Sequence, residues 1–305
     1  MLTSTRNFWL RRRALPGLLG LALIASGLSA AGQAGRRAHS ANEGTSLLNI
    51  VATREDGAGE PITGKQIALY DNGVEQAIKS FSVDPSPARV VLLVDNSLSI
   101  RADVDKLEEA TREFAYEIFE GDKLLIVGYD NQAEIVSDWT DDAKHIEKSL
   151  KSFRKQGDPH LFDALNAVAE EALRPLSGQK RVIVVISDGL DRGSKAKFDE
   201  VLRVLQELDI AVYAVQAPDR TRGAMRRDQP KPVQVIDRLA AGTGGRVFSI
   251  EEPRAAAKSI CDELRKNRYV LAYAATGVPF GDARPILVLG NTGINVRSKS
   301  AQPPN

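Results

Sequence analysis

Arg89-Val90-Val91-Leu92-Leu93-Val94-Asp95-Asn96-Ser97-Leu98-Ser99 is an unbroken aliphatic run that stops on a carboxylate and two hydroxyls. A strand with one wet face alternates apolar and polar residues. A continuous β-branched and leucine run instead marks a strand covered on both faces, as in a parallel sheet sandwiched by helices. The pattern recurs at residues 123–129 (KLLIVGY), 181–186 (RVIVVI) and 210–215 (IAVYAV). Between these runs apolar residues fall at helical spacing, first as Val104, Leu107, Ala110, Phe114, Ala115 and Ile118, then over residues 142–153, 161–173, 197–208, 233–241 and 255–266. Residues 134–139 read as an edge strand and 245–250 as a last strand. Strand and helix in alternation predict an α/β fold, a doubly wound and mostly parallel sheet with helices on both faces.

The flanks follow another rule. Residues 46–53, 66–70 and 77–83 alternate as short strands, separated by turns at 55–61 and 71–73, and residues 269–274, 285–289 and 293–297 do the same after the last helix. Neither group has an apolar face large enough to stand alone. Pairing between them predicts a small accessory β subdomain beside the α/β core. The expected layout is a signal peptide over 1–31, a linker over 32–45, an N-terminal β segment over 46–84, the α/β domain over 88–268, C-terminal strands over 269–298 and a disordered tail over 299–305.

The signal peptide rests on Arg11-Arg12-Arg13 ahead of the apolar stretch 14–31, with small residues at Ser29, Ala30, Ala31 and Ala34 for cleavage. It implies export, to the periplasm or the medium, and no membrane span after cleavage; an uncleaved anchor is the alternative. The formal charge of +1 includes Arg6, Arg11, Arg12 and Arg13 and no acid from that segment, so the mature chain is net negative. Such a chain has no general attraction for nucleic acid or anionic lipid. Cys261 is the one cysteine. No intrachain disulfide or cysteine-based metal cluster can form, and its helical surroundings point to a buried, inert thiol.

In open α/β sheets ligands bind beyond the carboxyl ends of the strands. Two polar motifs lie there: Asp95-x-Ser97-x-Ser99, and Ser187-Asp188-Gly189-Leu190-Asp191 after residues 181–186. Two carboxylates and two hydroxyls on one rim form an all-oxygen donor set, suited to a hard cation such as Mg²⁺, with Mn²⁺ or Ca²⁺ as substitutes. Hydroxyl ligands leave the ion under-neutralised and open to an external carboxylate. Asp95 and Asp188 can equally act as caps of the helices that follow.

Asp95, Ser97 and Ser99 resemble the DxSxS of von Willebrand factor A (VWFA) domains and their metal-ion-dependent adhesion site, and Ser187-Asp188-Gly189 resembles that site's second acidic loop. The resemblance covers about residues 88–268. The flanks resemble the exported bacterial VWFA-related proteins, in Tyr70-Asp71-Asn72-Gly73 and Tyr269-Val270-Leu271-Ala272-Tyr273. It implies that Ser97 and Ser99 bind a cation directly while Asp95 and Asp188 hold it through water. The family's threonine, ahead of a Leu-aromatic-Asp-Ala segment, falls here on Pro159 of Gly157-Asp158-Pro159-His160-Leu161-Phe162-Asp163-Ala164. Proline has no hydroxyl, so Asp158 or His160 is the candidate replacement, and Asp163 is read as structural.

Enzymatic readings lack their motifs. Ser97 has no Gly-x-Ser-x-Gly elbow, no Gly-x-x-x-x-Gly-Lys phosphate loop is present, and Gly242-Thr243-Gly244-Gly245 follows a helix as a turn. The polar insertion 218–232 carries Arg220, Arg222, Arg226, Arg227 and Lys231 against Asp219 and Asp228; it reads as a solvated loop, with a docking surface for an acidic partner as the alternative. The expectation is a non-enzymatic module that binds a protein ligand through an acidic side chain completing a Mg²⁺ shell, or a metal-independent structural or assembly module on the same fold.

Overall fold

The aliphatic run that opens the α/β pattern forms β5 (Ala88–Asp95), whose residues from Val90 to Asp95 are all buried. It lies in the interior of a six-stranded sheet, paired in parallel with β6 (Lys123–Tyr129) on one side and β8 (Lys180–Ser187) on the other. Beyond β8 come β9 (Ala211–Gln216) and β10 (Val247–Ser249), both parallel, and beyond β6 lies the antiparallel edge strand β7 (Ala133–Thr140). The spatial order is β10-β9-β8-β5-β6-β7. The structure is a computed structural model and describes residues 45–57, 60–221, 230–279 and 281–304. The expected signal peptide and all but the last residue of the expected linker lie outside the described residues.

Alternate side chains of each central strand enter opposite cores, because the pleat has a period of two. Val90, Leu92 and Val94 pack with α1 (Val104–Glu117), α2 (Ala143–Leu150) and α6 (Pro253–Lys266). Val91 and Leu93 pack with α3 (Leu161–Ala167), α4 (Phe198–Glu207) and α5 (Pro232–Thr243). Each of these side chains contributes roughly 1.5–3 kcal/mol of burial, so this one strand feeds both cores of the two-faced layout. The helix expected over 161–173 departs from regular geometry: after α3 it widens into π turns at Val168–Leu173 and tightens into a 3₁₀ turn at Arg174–Leu176, where Pro175 cannot donate a helical hydrogen bond.

The flanking strands are β1 (Thr45–Arg54), β2 (Ile67–Asp71), β3 (Val74–Gln76), β4 (Ile78–Val83), β11 (Arg268–Ala274), β12 (Arg284–Gly290), β13 (Ile294–Ser298) and β14 (Ala301–Gln302). They form two antiparallel four-stranded sheets, β13-β1-β11-β4 and β14-β12-β2-β3, each mixing strands from both ends of the chain. Leu48, Ile50, Leu69, Leu271, Tyr273, Ile286 and Val288 share one core between them. Inside it Arg284 Nε donates to Asp71 Oδ1 at 2.8 Å, and Tyr273 Oη donates to Asp71 Oδ2 at 3.0 Å. Residues 299–302, expected in a disordered tail, are fixed: Lys299 is buried, its Nζ donates to the Gln206 carbonyl at 3.0 Å, and Ala301 pairs with Pro285.

Among the described residues no helix is long and apolar enough to cross a membrane. Cys261 is buried on α6, and burial pushes its thiol pKa up to about 12. Two outcomes follow from these interiors. In the native chain Cys261 will resist iodoacetamide at pH 8 and will react once denaturant opens the fold, as read by mass spectrometry. Asp71→Ala leaves a buried guanidinium without its carboxylate and should cost about 3–5 kcal/mol in chemical denaturation.

Candidate functional site

The parallel register sets β5 and β8 side by side, with Val94 opposite Ile186, so Asp95 and the Ser187-Asp188 pair emerge together at the carboxyl edge. Asp95, Ser97, Ser187 and Asp188 have no exposed surface, and Ser99 is half-buried. The Asp95 carboxylate folds back on its own loop. Its Oδ1 accepts from the Ser97 amide at 3.0 Å and from Ser97 Oγ at 2.6 Å, and its Oδ2 accepts from Ser187 Oγ at 3.0 Å. Tyr129 Oη, at the end of β6, donates to Ser187 Oγ at 2.9 Å. Asp188 Oδ1 accepts the Leu190 amide at 3.0 Å. The turn after Asp188 needs Gly189: its φ is +87°, and a Cβ there would lie 2.3 Å from the Pro232 carbonyl oxygen.

A guanidinium completes the cluster. Arg220 lies four residues past the end of β9, the strand beside β8, and its side chain turns inward with 6% exposure. Nε donates to Asp188 Oδ2, and Nη2 donates to Asp95 Oδ2 at 2.8 Å and Asp188 Oδ1 at 2.6 Å. Nη1 donates to Ser97 Oγ at 3.2 Å and to Ser99 Oγ. Burial raises the Asp95 pKa above the usual carboxylate value, against the pull of Arg220. For Arg220, burial acts to lower its pKa, and its bonds and charge pairing with Asp188 and Asp95 outweigh that, leaving it above the ordinary value. Burial also holds the Tyr129 phenol well above its usual range, so it stays a neutral donor.

Of the five residues expected to hold a cation, Asp95, Ser97, Ser99 and Asp188 converge, and Asp158 does not. Asp158 is exposed, with Oδ1 3.8 Å from Arg192 Nη1. Pro159 is buried and contributes only its carbonyl, to the Arg192 amide at 2.7 Å. His160 lies on the flank as the residue preceding α3, with Nδ1 4.0 Å from Asp163 Oδ2. The four converging side chains do not fit a resident divalent ion in this arrangement, because every one of them already bonds the Arg220 guanidinium. Among the described residues no group of three or more His, Cys, Asp or Glu side chains could hold a metal ion.

Arg220 was one of five cations in an insertion expected to be solvated; residues 222–229 of that insertion lie outside the described residues. One signal was available in the sequence, an arginine just past the carboxyl end of a strand in the sheet that carries both acidic motifs. The surrounding loops are pinned from within the chain. Leu98 N donates to the Gly157 carbonyl at 3.1 Å, Gln156 N to the Asn96 carbonyl at 2.8 Å, and Lys155 Nζ to the carbonyls of Ile100 and Ala102. Asp163 accepts the amides of Lys195 and Ala196, which ties the start of α3 to the loop after β8.

Fold and rim together define a doubly wound α/β module whose polar centre lies at the carboxyl ends of its parallel strands. Residues 90–190 match the family model described as von Willebrand factor type A domain, and this part of the chain is similar to VWFA domains. A solved von Willebrand factor type A protein from Catenulispora acidiphila aligns over 84% of this chain and 72% of its own, at 9% identity and a TM-score of 0.50. An aerotolerance-related membrane protein from Bacteroides fragilis NCTC 9343 aligns over 59% of this chain and 99% of its own, at 20% identity and a TM-score of 0.46. No curated protein matches this chain.

The structural role of Asp163 is open to a direct test. Asp163→Ala removes the acceptor for two backbone amides and should lower stability by about 1–3 kcal/mol in urea titration, with the far-UV spectrum of the folded state unchanged.

Proposed function

We propose that this chain works outside the cytoplasm as a protein-binding module and performs no catalysis. What carries the proposal is the makeup of the rim. Leu98, between the two serines, is 68% exposed directly beside a fully internally bonded polar cluster. An exposed leucine on a loop held by backbone hydrogen bonds to a second loop is a preorganised apolar contact, which costs little ordering entropy on association. VWFA domains in general act as interaction modules, and the fold supports the same use here.

The chemistry of the serines supports binding over hydrolysis. Ser97 Oγ donates to Asp95 and lies within bonding distance of a guanidinium. Ser97 has no exposed surface and its hydroxyl is bonded to Asp95 and Arg220, so it is closed to an incoming substrate carbonyl. Export is supported by the arginine-led apolar N-terminus followed by small residues. Of the two binding mechanisms, the metal-dependent one draws support from the convergence of Asp95, Ser97, Ser99 and Asp188. The metal-independent one draws it from Arg220, which takes up the oxygen atoms that a metal needs, and it is the version we favour.

The test uses the mature chain as bait against the producing cell's envelope fraction, with Leu98→Asp as the comparison. Leu98→Asp should melt as the native chain does and lose retained partner by about tenfold or more. Equal retention by both baits, or a turnover that Ser97→Ala abolishes, overturns the proposal.

A further inference from the structure

The Arg220 guanidinium stands where the sequence motif calls for a metal ion, and its geometry is that of a replacement. A guanidinium has five N–H donors and no acceptor. All five are accounted for by the rim: Nε on Asp188, the two of Nη1 on Ser97 and Ser99, the two of Nη2 on Asp95 and Asp188. The backbone amide of Arg220 adds a further bond to Asp188 Oδ2 at 3.3 Å. Its positive charge meets both buried carboxylates, and its remaining contacts are the two hydroxyls that a divalent ion would take as direct ligands. The donor set is also short for a metal, since Pro159 supplies no hydroxyl and Asp158 points away to Arg192.

We propose that Arg220 is the resident cation of this rim, a covalently tethered substitute for the divalent ion that holds Asp95, Ser97, Ser99 and Asp188 in place without metal. The assignment holds whether or not the module binds a protein. Its consequence for binding is specific, however. A metal ion leaves a coordination position open to a partner's carboxylate, whereas this guanidinium has no free N–H to offer one. An acidic side chain is therefore not the group the buried cluster recognises, and a partner meets the loops around it.

The experiment combines titration calorimetry and thermal melts of the native chain with Mn²⁺, Mg²⁺ and EDTA, alongside Arg220→Ala and Arg220→Lys. The native chain should give no binding heat with Mn²⁺ or Mg²⁺ and an unchanged melting temperature with either ion or with EDTA. Arg220→Ala, which leaves two buried carboxylates facing each other, should melt about 5 °C lower or more. Arg220→Lys restores charge but not the fork, and should fall between the two. It remains informative if the alanine variant fails to fold. Mn²⁺ binding that appears only when Arg220 is replaced would support the substitution directly. Mn²⁺ or Mg²⁺ binding by the native chain with an affinity unchanged by either replacement would overturn the proposal. So would native melting temperatures in both variants.

Discussion

Two carboxylates with no exposed surface stand at the ends of adjacent parallel strands, and a positive charge between them is what lets both stay ionised. Burying an unpaired carboxylate costs several kcal/mol, a large share of the marginal stability of a domain, so the group either finds a cation or takes up a proton. Both tendencies are visible at Asp95: burial raises its pKa and Arg220 pulls it back down. The guanidinium suits the place because its planar fork reaches two carboxylates and two hydroxyls at once, which the compact charge of a lysine cannot do. Its attachment to the segment after β9 makes the electrostatic requirement a topological one. The chain leaving β9 must cross the edge of β8 to reach Asp95, and so a loop that starts two strands away from β5 becomes part of its rim.

Among the described residues the accessory sheets leave that rim clear. The accessory sheets attach where helices run into the amino ends of the strands. Lys299 bonds the carbonyl of Gln206 near the end of α4, Ser300 N bonds that of Gly242 near the end of α5, and Thr243 Oγ1 accepts the Val212 amide at the start of β9. Lys180, the first residue of β8, donates to the Ser86 carbonyl in the link from β4 to β5. All of these lie at the edge opposite Asp95. The β sandwich thus closes the sheet at its base, and the carboxyl edge keeps its loops free of that packing.

Most of the fold could be read because its residues obey local rules. The aliphatic runs at 90–94 and 182–186 state that both faces are covered, and Asp95 and Asp188 at their ends state where the polar rim lies. The flanking strands were legible as strands and as needing partners, since three short alternating segments cannot bury their own faces. Two features were not. The run 299–302 has no apolar pattern; Lys299 is fixed through its ammonium group on a helix carbonyl, a contact that only the folded chain defines. Arg220 is 125 residues from Asp95 and 32 from Asp188, with three more arginines close behind it, and nothing in their spacing distinguishes it. The local hints were the place of Arg220 just past the carboxyl end of β9 and the proline at 159, which removes a hydroxyl that a metal would have used.

A metal ion and a guanidinium neutralise the same carboxylates but differ in what remains for a partner. The ion leaves a vacant direction, and recognition then follows charge. The engaged fork of Arg220 has spent its donors on Asp95, Asp188, Ser97 and Ser99, so the cluster contributes rigidity and no outward-facing charge-assisted bond. On the proposed reading, discrimination among partners comes from the shape and chemistry of the loops that the cluster holds still, with Leu98, 68% exposed, as the apolar point among them. Such a surface gains its affinity from preorganisation and excluded water. On this account the side chains of the DxSxS pattern build the loop that carries Leu98. Ser97 caps its own aspartate, Ser99 takes the guanidinium, and the residue between them is left facing solvent.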